Sequence, residues 1–277
     1  MRPMLPLVVL LAGCVADGSD AVPPLDTVMT QLSFARAEDG VSRGFDLDGF
    51  ESEAGGNTGC GHDDYLTPDG SGGVDNQIAR LLPILDDTEA RALEPTIQTA
   101  VNDGEILLMV EFRGLDDLVN DDEVEVVFLR GGGRPSIGND GFIEPGQTFD
   151  KRTDTPPVVV LDATVVDGVL TARGFESIDI PIDIFSAEFT LSVQQASLRF
   201  EFGDNGEWGG FFAGAFPYQP VLDGLLDAAI DQGLKDLLPG VFEGFSDIDG
   251  PNGFCSSMSV TLDFQARAAF FFEDDSA

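Results

Sequence analysis

Apolar residues in two parts of the chain recur every three or four positions, the spacing of one face of an α-helix. In the first part this pattern predicts two consecutive helices, over positions 76–85 and 88–101. A third helix is predicted over 220–238, where leucine, valine and isoleucine line one side. Prolines inside the first two segments predict kinked or shortened helices.

Beyond position 104 the apolar pattern changes to a period of two, which is typical of strands with one buried face. Segments 105–114 and 122–131 are the first predicted strands, and 257–272 is the last. Asp167-Gly168 lies between two β-branched runs and predicts a hairpin of type I′. Strands and helices fall in separate runs, so we expect an α+β fold: a predominantly antiparallel sheet of about eight strands with two or three helices packed on it.

The segment between positions 40 and 76 shows neither period. It is rich in glycine, aspartate, serine and asparagine, and loops of such length are usually functional or disordered. The preceding segment, 25–34, fits a short strand or a helix. We expect one globular domain over 25–277, with this Asp/Gly-rich loop region near its start.

Charge narrows the set of partners. The chain carries 50 acidic and 14 basic residues, a formal net charge of −36. Such a field repels nucleic acid and attracts cations, so no nucleic-acid partner is expected. Adaptation to a saline habitat explains the acidity equally well. Hydrophobic residues make up 43% of the chain, which is enough for a buried core.

The first residues have the form of a secretion signal. One arginine precedes a short apolar run, and the run ends in Leu11-Ala12-Gly13-Cys14. These four residues resemble the lipobox of bacterial lipoproteins. The resemblance implies a signal peptide over 1–13, a lipid on Cys14 and a flexible linker over 14–24. Val15 after the cysteine implies the outer membrane, at its periplasmic face or at the cell surface.

The resemblance leaves two other cysteines, Cys60 and Cys255, in a compartment where disulfides form. We therefore expect a bond between them, and two free thiols are the alternative. The whole chain resembles the acidic surface lipoproteins of bacteria, a resemblance that indicates a setting and no mechanism.

The loop region carries oxygen ligands of the kind that calcium prefers, carboxylates and amides separated by glycines. Residues 69–76, "DGSGGVDN", resemble a fragment of the thrombospondin type 3 calcium repeats, although the tandem aspartate core and the following cysteine are absent. The alternative is that these residues only form turns. The candidate calcium ligands are Asp46, Asp48, Asp63, Asp64, Asp69, Asp75 and Asn76.

Histidine occurs once, as His62, which limits nucleophilic catalysis because most serine and cysteine nucleophiles need an imidazole base. A loop residue is the preferred interpretation of His62, and no catalytic residue is predicted. Apart from calcium, no cofactor is expected.

Phenylalanines crowd the C-terminal half around the third predicted helix. A curved sheet covered by a helix can enclose a cavity for a lipid or another hydrophobic ligand. Ordinary core packing is the alternative explanation. The candidate lining residues are Phe200, Phe202, Phe211, Phe212, Leu225 and Leu226.

Together these features favour a lipid-anchored, acidic envelope protein with a non-enzymatic binding or structural role, stabilised by calcium. A carrier or chaperone of a hydrophobic ligand is the alternative function, and a secreted hydrolase comes third. The partners expected are the membrane, through the lipid, and a hydrophobic ligand or another envelope protein.

Overall fold

The structure is a computed structural model that describes residues 25–86, 89–184, 187–203, 206–228, 230–250 and 253–272. The predicted signal peptide, the linker and the lipobox cysteine lie outside the described residues.

Within the described ranges, ten strands form one mixed, mostly antiparallel sheet. Helices interrupt the run of strands along the chain only twice, after the first strand and after the eighth. The strands are β1 (Leu25–Phe34), β2 (Leu108–Arg113), β3 (Asp121–Gly132), β4 (Gln147–Lys151), β5 (Val158–Val166), β6 (Val169–Ile184), β7 (Ala187–Glu201), β8 (Glu207–Pro217), β9 (Ile248–Asp249) and β10 (Cys255–Phe272).

Eight of these strands close the sheet on itself. Neighbouring strands pair antiparallel in the order β1-β2-β3-β5-β6-β7-β8-β10, and β10 pairs again with β1. The register of that last pair places Thr27 opposite Ala268. Short β4 lies parallel to the end of β10, and β9 pairs with its beginning. In this closed order each of the eight strands pairs with a neighbouring strand on both sides.

Four α-helices and two 3₁₀ turns lie in the described part of the chain. The helices are α1 (Ile78–Asp86), α2 (Leu93–Asp103), α3 (Tyr218–Asp227) and α4 (Gln232–Gly244), and the turns are Gly59–Gly61 and Glu89–Ala92. Helix α2 packs on β1, α3 packs on β7, and α3 and α4 contact each other. No helix within the described ranges is long and apolar enough to cross a bilayer.

The predicted α+β class and the predominantly antiparallel sheet are confirmed. The hairpin at Asp167-Gly168 is present, and both residues have the positive φ that a type I′ turn requires (51° and 80°). Segment 25–34 is a strand. Strands β4 and β9 were not predicted, because five and two residues are too few to show a period.

The single helix predicted over 220–238 is wrong. Ala228 has an extended backbone, φ −63° and ψ 159°, which ends α3. Asp231 then begins α4, because its carboxylate accepts hydrogen bonds from the N–H groups of Gly233 (2.8 Å) and Leu234 (3.4 Å). The apolar pattern continues across this break, so periodicity alone predicts one helix where the structure has two.

Most of the core is one large cluster to which both the strands and the helices contribute, and two small clusters are separate from it. Aromatic rings concentrate in the large cluster: Phe112 contacts Phe200 at 4.9 Å and Phe202 at 5.5 Å between ring centroids. Such edge-to-face pairs add about 0.5–1.5 kcal/mol each beyond the area they bury.

Candidate functional site

An apolar cavity of about 240 Å³ lies between the helices and the sheet. The strands contribute residues near one end of the closed sheet, at the carboxyl ends of β1, β6 and β8 and the amino ends of β7 and β10. These residues are Leu32, Phe34, Ile180, Ile182, Phe189, Leu191, Phe216, Val260 and Leu262. Alternate positions of β6 and β7 therefore supply apolar groups to the cavity.

Two helix pairs form the rest of the lining. The apolar faces of α1 and α2 contribute Ile78, Leu81, Leu85, Leu93 and Ile97. The second pair contributes Val221, Leu225, Leu234, Leu238, Val241 and Phe242. Tyr218 stacks on Phe242 with the ring centroids 5.9 Å apart, which fixes α3 against α4. Because the chain breaks between α3 and α4, the two helices contact the cavity as separate elements.

Among the residues that the structure describes, the junction of α3 and α4 supplies the only charged residue of this lining, Asp231, together with Ile230. Asp231 is exposed to solvent, so it marks the side on which the cavity meets water. The Nζ of Lys235 donates a hydrogen bond to the carbonyl of Leu226 (2.6 Å) and holds the first turn of α4 against the end of α3.

Of the six residues predicted to line a cavity, Leu225 does so. The others lie elsewhere: Phe200 and Phe212 are buried inside the core, Phe202 and Leu226 pack at its margin, and Phe211 contacts Phe45 at 5.2 Å. Alternation along a strand indicates a buried face. It does not show whether that face meets other side chains or an open space.

A second candidate site lies in the Asp/Gly-rich loop region. Asp46, Asp48 and Asp75 each place a carboxylate oxygen within 4.8 Å of the other two. The carboxyl group of Asp64 lies within hydrogen-bonding reach of Asp75. We call these four residues the acidic cluster. A tight turn presents the first two: the N–H of Gly49 donates to Asp46 (2.6 Å) and that of Phe50 to Asp48 (2.9 Å).

Crowding of like charges in a buried place raises pKa values in the acidic cluster. Asp75 is 2% exposed, and burial, with the charges of Asp48 and Asp64, raises its pKa to about 8. Burial is also the main cause that raises the pKa of Asp48 and of Asp64. A positively charged group among these carboxylates would relieve their mutual repulsion.

The other predicted calcium ligands have different roles. Asp63 pairs with Arg80 (2.9 Å), and exposed Asp69 accepts hydrogen bonds within the turn Thr67–Ser71. Asn76 is buried and holds the start of α1: its amide donates to the carbonyl of Ala35 (3.1 Å) and accepts from the N–H of Thr261 (3.2 Å).

Sequence reasoning missed Asp247, which lies close enough to influence the acidic cluster. The N–H of Ser259 donates to it (2.8 Å), and so does the Ser259 hydroxyl. Burial, assisted by the charge of Asp64, raises its pKa to about 6. Asp247 lies 172 or more positions after every member of the acidic cluster, so no local motif could connect them.

Cys60 and Cys255 form a disulfide that joins the loop region to the start of β10. Next to it, the Nδ1 of His62 lies 2.8 Å from the side-chain nitrogen of Gln77. Burial and the charge of Arg80 lower the pKa of His62, which favours the neutral ring. Its hydrogen bond to an amide gives His62 a structural contact in the loop.

No family model matches this chain, and no curated protein or solved structure matches it either. The geometry of the two candidate sites is therefore the basis for assigning a function.

Proposed function

We propose that the protein binds a small hydrophobic molecule in the apolar cavity and acts as a carrier in the cell envelope, anchored through a lipid on Cys14. The observation that carries this proposal is the cavity itself. The described residues that line it are apolar except for one aspartate at the solvent side.

The size of the cavity supports a ligand. At about 240 Å³ the cavity is larger than an apolar cavity of about 150 Å³ that binds benzene, so it has room for a small hydrophobic ligand. Its leucine, isoleucine, valine and phenylalanine side chains offer water no hydrogen-bond partners, which favours an apolar occupant.

The chemistry of the ligand follows from the lining and the charge. An alkyl chain or a ring fits walls made of leucine, isoleucine and phenylalanine. Asp231 at the opening and a net charge of −36 disfavour an anionic head group. The proposed ligand is therefore neutral or cationic at its polar end.

Binding can be tested with N-phenyl-1-naphthylamine, a neutral dye that fluoresces in apolar surroundings. The wild type should bind it, and Leu225→Trp should reduce binding at least tenfold because the larger ring fills the cavity. Leu226→Trp is the matched control, since Leu226 is the next residue on the same helix and does not line the cavity. No binding by the wild type, or equal binding by both variants, would contradict the proposal.

The anchoring part of the proposal rests on the resemblance of Leu11-Ala12-Gly13-Cys14 to a lipobox. Cys14→Ser should move the protein from the membrane fraction to the soluble fraction of the host, because the acylated thiol is lost. Dye binding should be unchanged in this variant. A variant that stays with the membrane would show that another contact holds it there.

A further inference from the structure

We propose that the protein binds one Ca²⁺ ion through a set of five oxygen-bearing side chains in the loop region: Asp46, Asp48, Asp64, Asp75 and Ser52. This site is separate from the apolar cavity and does not depend on its ligand.

The carboxylates converge although they come from three separate turns. Oxygens of Asp46, Asp48 and Asp75 lie within 4.8 Å of one another, a spacing that a single cation can bridge. The carboxyl group of Asp64 lies within hydrogen-bonding reach of Asp75. Because a carboxylate has two oxygens, each with two lone pairs, every member can accept a backbone N–H and still bind an ion.

Backbone hydrogen bonds fix these side chains in place. Asp75 accepts hydrogen bonds from the N–H groups of Leu47 (2.6 Å) and Asp48 (3.4 Å), which ties the end of the loop region to its beginning. The N–H of Ser52 donates to Asp64 (2.6 Å), and the N–H of Asp64 donates back to the carbonyl of Ser52 (3.1 Å). The carboxylates are therefore positioned before any ion arrives.

Ser52 provides the independent observation. Its side chain is 7% exposed, and its Oγ finds no hydrogen-bond partner in the described part of the chain. The hydroxyl packs on Gly59, 2.7 Å from the point where a Cβ would stand, and Asp64 Oδ1 is 3.8 Å from the same point. The N–H of Gly59 donates to Asp48. The unpartnered oxygen therefore lies against Gly59, the residue that Asp64 and Asp48 also approach.

A buried hydroxyl without a partner costs free energy that a ligand would recover. Calcium suits this position because it takes six to eight oxygens from carboxylates, hydroxyls and waters in a flexible arrangement. Magnesium demands a near-ideal octahedron and usually retains several waters. A buried site around a protein hydroxyl does not accommodate these waters easily. The prevalence of carboxylates and the neutral oxygen both favour calcium.

The experiment begins with the full chain, freed of metal by EDTA and dialysed into buffer of fixed ionic strength. Equilibrium dialysis with CaCl₂ should show one tightly bound ion per chain. At a hundredfold excess over Kd, Ca²⁺ should raise the melting temperature by about 5–10 °C. MgCl₂ at the same ionic strength should give less than half of that rise.

Two variants distinguish a site from general attraction of cations by an acidic protein. Asp46→Asn should weaken Ca²⁺ binding at least tenfold, while Asn can still accept the hydrogen bond from Gly49. Asp69→Asn is the matched control, because Asp69 belongs to the same loop region but not to the acidic cluster, and it should bind Ca²⁺ like the wild type.

Ser52→Ala separates a ligand from a packing residue. Removing an unpartnered hydroxyl should leave the metal-free protein as stable as before or more stable, whereas Ca²⁺ affinity should fall. The proposal is overturned if dialysis finds no bound ion, if Mg²⁺ and Ca²⁺ act equally, if Asp46→Asn and Asp69→Asn behave alike, or if Ser52→Ala leaves the affinity unchanged.

Discussion

Two carboxylates of this protein, Glu111 and Asp75, are almost equally buried, at 3% and 2% exposure, but their surroundings differ in charge. Glu111 lies on β2 with Arg113 Nε 2.5 Å from one carboxylate oxygen and Lys151 Nζ 2.9 Å from the other. Asp75 lies among other aspartates. Burial alone would raise both pKa values.

The outcomes are opposite. At Glu111 the hydrogen bonds and charges of Arg113 and Lys151 outweigh burial and lower the pKa. At Asp75 burial and the neighbouring carboxylates act together, and the pKa rises to about 8. Glu111 therefore has its counter-ions within the chain, whereas the repulsion around Asp75 is relieved when its carboxyl group takes up a proton.

The largest effect is expected at Glu111. Glu111→Gln should lower the free energy of unfolding by about 1–3 kcal/mol, because two cationic donors lose a charged acceptor. Arg113 and Lys151 are partly exposed, so water can solvate their charges in the variant, which limits the loss of stability. Urea unfolding measures it.

Glu125→Gln is the control for that variant. Glu125 also pairs with Arg113 (2.7 Å), but about a third of its side chain is exposed, so its loss should cost at most about 0.5 kcal/mol. Equal effects of the two substitutions would show that burial does not strengthen the Glu111 pairs.

A smaller effect of opposite sign is expected at Asp75. With EDTA present at pH 7, Asp75→Asn should leave the protein as stable as the wild type or more stable. The amide still accepts the hydrogen bond from Leu47, and it removes a carboxyl group whose ionisation the fold opposes. With Ca²⁺ present the variant should be the less stable protein, because it lacks a ligand.

The pH dependence of that difference follows from the direction of the pKa shift. Because the pKa of Asp75 is raised in the folded protein, its ionisation does not destabilise the fold below the ordinary value of 3.8. The destabilisation is greatest above about 8, where the carboxyl group is ionised in both the folded and the unfolded chain. The advantage of Asp75→Asn in EDTA should therefore grow as the pH rises from 4 to 8. An advantage that shrinks over this range would contradict the raised pKa of Asp75.

Most of the fold could be predicted from local patterns. Alternation predicted the long strands, and Asp167-Gly168 predicted its hairpin, because these signals depend on neighbouring residues. Closure of the sheet by β1 and β10 could not be predicted, since no local pattern specifies which distant strands pair. The break at Ala228 was hidden because apolar residues continue on both sides of it.

The candidate sites were predictable to different degrees. Asp46, Asp48, Asp64 and Asp75 were named from composition, but so were Asp63 and Asp69, because sequence shows the ligand types and not which of them converge. The apolar cavity was expected among phenylalanines, yet leucine and isoleucine dominate its lining. A void depends on how two helix pairs meet a sheet, which periodicity does not describe.

The pairing of β1 with β10 has a consequence for the order of folding. Thr27 meets Ala268, so the first strand gains its second neighbour only when the last strand is available. Contacts between such distant residues slow folding, because a long loop must close before they form. A nascent chain would therefore leave β1 without this neighbour until the residues of β10 have been synthesised.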